Sequence, residues 1–151
     1  MHFFEELEIG QRREAGSFTF TADDIKKFAA QFDPQRFHLD EEEGRKSLFG
    51  GLAASGWHLG SIMMRMLFDG FIGRTASLGS PGVNEMRWLA PLRPGDDLTL
   101  DVDVAEARIS KGRPETGIVT FKGTIRNAAG VVLCEMESPI IVRRRAQAGA
   151  K

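Results

Sequence analysis

The segment that most constrains the fold covers residues 47–64, SLFGGLAASGWHLGSIMM, which are 18 residues without a formal charge. That length is near the lower limit for crossing a bilayer. The segment also holds four glycines, three serines and a histidine, which make it too polar and too glycine-rich for a membrane span. We therefore predict a loop that leads into a helix buried inside the protein.

That helix is predicted over residues 54–68. Its residues are apolar on nearly every side, with Arg65 as the main exception. A helix that is apolar all round is a buried one. The rest of the chain must therefore supply the cover on every side.

The cover is predicted to be an antiparallel sheet. In residues 97–109, DLTLDVDVAEARI, apolar and polar side chains alternate, as in a half-buried strand. Similar patterns predict strands in residues 11–20, before the turn in PLRPGDDL, around Val119 to Ile125, and in VVLCEMESPIIV. The fold class is α+β, with a single sheet wrapped around a central helix. We predict one domain over residues 1–142 and a basic, disordered tail over residues 143–151.

An amphipathic helix is predicted in TADDIKKFAAQF. Thr21 is a good N-cap, and Asp23 and Asp24 suit the positive end of the helix dipole. Pro34 disfavours helical geometry at Asp33, so the helix should end there. A loop, HLDEEEGRKSLFGG, is expected next, in which the acidic run 40–43 forms a solvated face or begins a short helix.

Composition excludes several functions. The formal charge of −1 gives no electrostatic footprint for nucleic acid or an anionic membrane. Cys134 is the only cysteine, so a reducing compartment is expected, and the first twenty residues lack a signal-peptide pattern, which makes the cytoplasm the expected location. Three histidines without a cluster at ligand spacing predict no metal site, and no glycine-rich motif predicts a phosphate-binding loop.

Asp33 and His38 are the first candidate site residues. Taken singly, each is more simply a surface or packed polar residue. Together they flank a stretch stiffened by Pro34, and Phe37 beside His38 suggests a loop packed against the core. Such a loop can hold a carboxylate and an imidazole over one small volume, as general acid–base catalysis requires.

The second candidate is the start of the buried helix, ASGWH. A helix N-terminus presents free N–H groups, and Gly56 would let a ligand approach the backbone closely, so a developing oxyanion could bind there. The alternative is that Ser55 only caps the helix and Gly56 only eases packing. Helix propensity then predicts that Gly56→Ala is neutral or stabilising.

With these motifs in view, the chain resembles the MaoC-like dehydratases, relatives of the (R)-specific enoyl-CoA hydratases. The likeness runs from about Phe18 to Val142. The family's hydratases carry D-x-N-P-x-H, and the glycine of an H-G pair follows 18 residues after the histidine. Asp33, His38 and Gly56 keep these spacings, and PLRPGDDL matches the family's turn.

The match has two departures. The stretch reads D-P-Q-R-F-H, so the proline follows Asp33 directly and the motif's asparagine is either Gln35 or absent. Ser55 replaces the histidine of the H-G pair. His58, one turn into the helix, is either a partial substitute for that histidine or a core polar residue.

The resemblance implies a hot-dog fold and hydration of a trans-2-enoyl thioester, or dehydration of a 3-hydroxyacyl thioester. Asp33 and His38 would be the catalytic residues, with Gly56 and Ser55 binding substrate. Coenzyme A or acyl carrier protein would be the thiol carrier of the substrate, with no bound cofactor. A homodimer or higher homo-oligomer is expected, in fatty acid metabolism.

Two alternatives remain open. Hot-dog thioesterases commonly place a carboxylate on or near the central helix, and residues 50–66 contain none. A non-catalytic subunit that binds an acyl thioester is the other alternative, and the altered loop keeps it open.

Overall fold

The computed structural model describes residues 1–146 and shows one six-stranded antiparallel sheet. The strands are β1 (Arg12–Thr19), β2 (Ser77–Gly79), β3 (Glu85–Trp88), β4 (Asp97–Ile109), β5 (Thr116–Arg126) and β6 (Val132–Arg143). Their order is β1-β4-β5-β6-β2, and β3 also pairs with β6. β2 and β3 therefore lie end to end along one edge of β6.

Four helices complete the fold: α1 (Ala22–Phe32), α2 (Arg36–Leu39), α3 (Glu41–Lys46) and α4 (Gly56–Gly70). The longest, α4, packs against β1, β4 and β5. This arrangement confirms the predicted α+β hot-dog fold, a sheet around a central helix. Within residues 1–146, no helix is long and apolar enough to span a membrane.

The core lies between the sheet and α4. The alternating apolar residues of β4 are buried, as are Val119, Phe121 and Ile125 of β5, which the sequence assigned to the inner face. Cys134 of β6 is fully buried beside them as a free thiol. Burial raises the pKa of this thiol to about 11, with a smaller contribution from Glu135.

Local sequence signals define α1 at both ends. The Thr21 side chain accepts a hydrogen bond from the Asp24 N–H, and the Asp24 carboxylate accepts one from the Thr21 N–H. This reciprocal capping satisfies donors that a helix start leaves free. At the other end Asp33 is the C-cap, so the predicted helix end is confirmed.

The loop predicted after α1 contains two short helices. His38 lies on α2, and Asp40 ends α2 and caps α3 by accepting a hydrogen bond from the Glu43 N–H at 2.9 Å. The prediction of a loop was therefore wrong for residues 38–46, and the interpretation in which the acidic run 40–43 begins a short helix is confirmed. The short strand β2 was not predicted.

The prediction that α4 is buried on all sides was wrong for one stripe. Trp57, Met64 and Phe68 are 64%, 48% and 54% exposed. The sheet of one copy curves around only part of the helix, so this apolar face has no cover within residues 1–146. The helix also begins two residues later than predicted, because Ser55 serves as its N-cap.

The prediction of a basic, disordered tail from residue 143 also needs correction at its start. Arg143 belongs to β6, Arg144 Nε contacts a Glu5 carboxylate oxygen at 3.0 Å, and Arg145 pairs with Glu6. These ion pairs attach the start of the predicted tail to the N-terminal segment, so the domain extends past residue 142. Residues 147–151 of the predicted tail lie outside the described residues.

Candidate active site

A cavity of about 430 Å³ lies where α1, α2 and the start of α4 meet the segment after β3. Its wall is mainly apolar, with Phe37, Phe49, Leu59, Trp88 and Leu92 among the lining residues. Asp33, His38 and Gly56, three of the four residues predicted for the site, also line it. An apolar cleft with a few convergent polar groups is the usual form of a small-molecule site.

Asp33 and His38 form a close pair in this cavity. The Asp33 Oδ2 atom lies 3.4 Å from His38 Nε2, and the two side chains are 17% and 5% exposed, respectively. The other carboxylate oxygen of Asp33 accepts a hydrogen bond of 2.8 Å from the Gln35 side chain. The Gln35 amide therefore orients the carboxylate.

The second nitrogen of His38 determines how the imidazole is protonated. Nδ1 lies 2.6 Å from the carbonyl oxygen of Ala53. A carbonyl oxygen can only accept, so Nδ1 carries a proton and donates it. In the neutral imidazole, Nε2 then has a lone pair directed toward Asp33.

Asp33 remains ionised at neutral pH. Burial alone would raise the pKa of its carboxyl, but hydrogen bonds from the Ser55 hydroxyl and the Gln35 amide lower it below the usual value, and the positive charge of His38 lowers it further whenever the imidazole is protonated. A carboxylate held by hydrogen-bond donors keeps its charge at a lower pH than a free one. The site therefore presents an anionic acceptor beside the imidazole.

Ser55 lies behind the pair. It is fully buried, accepts a hydrogen bond from the Trp57 N–H at 3.3 Å, and helps to lower the pKa of Asp33. Ser55 is not one of the described residues that line the cavity. The contact between Ser55 and the substrate stays a prediction. In the structure the Ser55 side chain interacts with the N-terminus of α4 and with the Asp33 carboxylate.

Gly56 is the first residue of α4 and lines the cavity. The indole of Trp88 lies against it, with Nε1 donating to the Gly56 carbonyl oxygen at 2.9 Å. A Cβ at position 56 would lie only 2.5 Å from the Trp88 ring. The expectation that Gly56→Ala is neutral or stabilising is therefore wrong, because it considered the helix alone and not this tryptophan.

Arg93 is a site residue that sequence reasoning missed. Its guanidinium donates to the Leu52 carbonyl oxygen at 3.3 Å and to the Phe49 carbonyl oxygen. These bonds hold the segment that ends at Ala53, the hydrogen-bond partner of His38. The sequence identified PLRPGDDL as a turn, but only the fold shows which carbonyl oxygens accept hydrogen bonds from its arginine.

His58 does not substitute for the missing histidine. It lies outside the cavity wall, with its ring stacked on Phe28 at 4.4 Å and edge-on to Phe20 at 4.7 Å. Its Nδ1 is buried without a hydrogen-bond partner among the described residues. Burial lowers the pKa of this imidazole, and the nearby Asp24 offsets only part of the effect.

Comparisons with known proteins identify the family of this chain. The family described as MaoC like domain matches residues 5–125. A MaoC-like dehydratase from Rhodospirillum rubrum is 42% identical, with 97% of this chain and 99% of that chain covered and a TM-score of 0.90. The uncharacterized protein YdeM of Bacillus subtilis is 33% identical over 141 residues, 93% of this chain and 98% of YdeM.

A more distant structure shares the fold. The R-hydratase PhaJ1 from Pseudomonas aeruginosa is 24% identical and has a TM-score of 0.70, with 99% of this chain and 92% of that chain covered. At that identity the likeness concerns the fold alone.

Proposed function

Because the chain belongs to the MaoC-like domain family, we propose that it adds water to trans-2-enoyl thioesters, or removes water from 3-hydroxyacyl thioesters in the reverse direction. The observation that carries the proposal is the pairing of Asp33 with His38 Nε2 at 3.4 Å inside an apolar cavity. The dehydratase from Rhodospirillum rubrum, 42% identical to this chain, supports the same reaction class.

The protonation of the pair explains how it would bind water. In the protonation state that the mechanism uses, with Asp33 ionised and His38 neutral, both facing atoms are acceptors, so neither donates to the other. A water molecule has two protons and can donate one to each. The 3.4 Å separation lets one water oxygen lie within hydrogen-bond reach of both atoms.

Hydration then follows with no net change of protons. The pair takes one proton from water as the hydroxyl oxygen forms its bond to C3 of the enoyl chain. The electrons of the C2–C3 double bond move toward the thioester carbonyl, and an enolate forms. The pair returns a proton to C2, which restores the thioester. We treat Asp33 and His38 as one coupled unit, without dividing acid from base between them.

The enolate oxygen needs a donor, and we assign that role to the Gly56 N–H. The Trp57 N–H is bound by Ser55, whereas the Gly56 N–H donates to no acceptor among the described residues. It stands at the positive end of a helix that runs to Gly70. An N–H placed at a developing oxyanion typically contributes about 10²–10³-fold to the rate.

The thiol carrier is part of the thioester substrate. We propose coenzyme A or acyl carrier protein as that carrier and no bound cofactor, because the proposed steps use only Asp33, His38 and the Gly56 N–H.

The exposed apolar stripe on α4 supports a homodimer. Trp57 and Met64 line one cavity together with Val83, an exposed residue just before β3, and all three side chains are at least about half exposed. Contiguous apolar surface of this kind marks an interface.

The edge of β3 also fits a second copy of itself. Two β3 strands paired antiparallel about Met86 would set Glu85 of each copy opposite Arg87 of the other. Opposite charges facing across strands stabilise such a pair.

One assay tests the reaction against both alternatives. The protein is incubated with crotonyl-CoA, and both the enoyl absorbance and free thiol are followed. Loss of enoyl absorbance without thiol release is the expected result. Thiol release would establish a thioesterase instead, and binding without either change would establish a non-catalytic acyl-thioester-binding subunit.

A further inference from the structure

A second cavity, of about 590 Å³, lies beside the first along the same side of α4. Trp57 lines both cavities, and from it the second continues between α4 and the strands β2, β3 and β6. The two volumes therefore meet at one side chain. The proposed function uses only the first cavity.

The second cavity is suited to a hydrocarbon chain. Met64, Met86, Met136, Val83 and Ile140 form much of its wall. The hydroxyl of Ser138 also lines it but donates to the carbonyl oxygen of Gly82 at 3.0 Å. The wall is therefore largely apolar, and flexible methionines adapt to ligands of differing shape.

An aromatic pair separates the cavities. The rings of Trp57 and Trp88 meet edge to face, with centroids 5.3 Å apart and planes at 77°. Trp88 is anchored by its hydrogen bond to the Gly56 carbonyl oxygen, and the missing side chain of Gly56 lets the indole lie against the helix. Trp57 is 64% exposed, and within residues 1–146 its one aromatic contact is the edge contact with Trp88.

We propose that Trp57 and Trp88 form a partition that restricts the acyl chain to the first cavity, so that short-chain enoyl thioesters are the substrates. This inference rests on the proposed function. Without the Trp57 indole the two cavities join, and a long chain gains an apolar path between α4 and β3, on the face that the second copy of the proposed homodimer would cover. Trp57 is then the residue that sets chain length.

The test compares kcat/KM for crotonyl-CoA and trans-2-dodecenoyl-CoA. We expect the wild type to favour the short substrate, and Trp57→Ala to raise the long-to-short ratio by at least about 10-fold, since a few methylene contacts discriminate on that scale. Phe68→Ala is the matched control, because it removes an exposed aromatic from the same stripe outside both cavity walls. An equal change in both variants would overturn the partition.

A second variant tests where the long chain goes. Ser61 lines the second cavity but not the first. Adding Ser61→Trp to Trp57→Ala should fill the new path and return the long-to-short ratio to the wild-type value. A ratio that stays high would show that the chain follows another route, and the proposal would fail.

Binding separates this inference from the proposed reaction. Butanoyl-CoA and dodecanoyl-CoA cannot be hydrated, so their affinities, measured by calorimetry, report on chain length even if no enoyl substrate reacts. The chain has two tryptophans, Trp57 and Trp88, so intrinsic fluorescence also reports directly on the partition. Tight dodecanoyl-CoA binding by the wild type refutes the partition. Absence of turnover with crotonyl-CoA refutes the reaction alone.

Discussion

His38 donates its Nδ1 proton to the carbonyl oxygen of Ala53 across 2.6 Å, and this bond leaves Nε2 as the nitrogen that faces Asp33. The backbone thus fixes the orientation of the imidazole. Ala53 is itself positioned by a hydrogen bond from the Ala54 N–H to Leu92, and the preceding segment is held by Arg93. The turn after β3 therefore supports a pair that lies on two helices.

We expect Asp33→Asn and His38→Gln each to lower the rate of hydration by at least about 100-fold, the usual scale for acid–base groups. Glutamine is preferred to alanine at position 38 because the imidazole is buried and a small side chain would leave a cavity. Steady-state kinetics with crotonyl-CoA is the measurement. Glu106→Gln, which neutralises an exposed carboxylate on β4, is the control. Near-normal turnover in either site variant would remove that residue from the mechanism.

We expect Gly56→Ala to melt below the wild type, because its Cβ would lie 2.5 Å from Trp88. The double variant Gly56→Ala/Trp88→Ala relieves this clash and should be less destabilised than the two single changes predict together. If the Gly56 N–H binds the oxyanion, the added methyl group should hold the substrate away from that donor, so turnover of the double variant should still fall by about 100-fold or more relative to Trp88→Ala. Thermal unfolding and kinetics of all four proteins complete the cycle. Equal turnover of the double variant and Trp88→Ala would move the oxyanion role elsewhere.

We expect Ser55→Ala to cost about 1 kcal/mol of stability through the lost cap. Ser55 also lowers the pKa of Asp33, so its removal should raise that pKa. Ionised Asp33 is required in the proposed mechanism, so the acid limb of the pH–rate profile should move to higher pH. Thr21→Ala, which removes the N-cap of α1, should cost similar stability without moving the acid limb of the pH–rate profile. An unmoved limb in Ser55→Ala would show that the hydroxyl does not act on Asp33.

We expect His58→Phe to raise the free energy of unfolding by about 1–3 kcal/mol, the cost of a buried polar atom without a partner. Phenylalanine keeps the stack on Phe28, and the adjacent groove of about 340 Å³ has room for the larger ring.

The same variant should change the dependence of stability on pH. The folded state lowers the pKa of His58, so between the usual histidine value and the folded value the unfolded chain binds more protons. Wild-type stability should therefore fall as pH drops below about 6.5, the unperturbed value. His58→Phe should lose this component, as measured by urea unfolding between pH 5 and 7. An unchanged slope would show that His58 keeps its ordinary pKa.

We expect the wild type to be a dimer at about micromolar concentration and Phe68→Lys to be largely monomeric, because a lysine in the centre of an apolar interface must lose its hydration. Ile109→Lys, which changes an equally exposed apolar residue at the end of β4, should remain dimeric. Sedimentation velocity distinguishes these outcomes. A monomeric wild type would show that the stripe on α4 serves another purpose.

The sequence was most informative where local chemistry decides the structure. Thr21 and Pro34 define α1 because capping and the geometry before proline act within a few residues. The alternation of polar and apolar side chains in residues 97–104 likewise predicted β4 from neighbouring residues alone.

Contacts between distant residues could not be predicted. The indole of Trp88 lies on Gly56, 32 residues earlier in the chain, and no local pattern indicates that approach. Likewise, hydropathy showed that α4 is apolar on nearly every side, but it carries no information about which side the sheet of one copy leaves open. His38 on a short helix was missed because four residues contain too little periodicity to distinguish a helical turn from a loop.

Because the thiol of Cys134 is buried, the native protein should not react with thiol reagents. A thiolate is the reactive form, and a pKa of about 11 leaves very little of it at neutral pH, while full burial excludes the reagent. A disulfide reagent added to the folded protein therefore reports coenzyme A released by thioester cleavage without background from the enzyme. In denaturant the same reagent reacts with each molecule that unfolds and exposes Cys134. The rate of modification of this one cysteine therefore also measures unfolding.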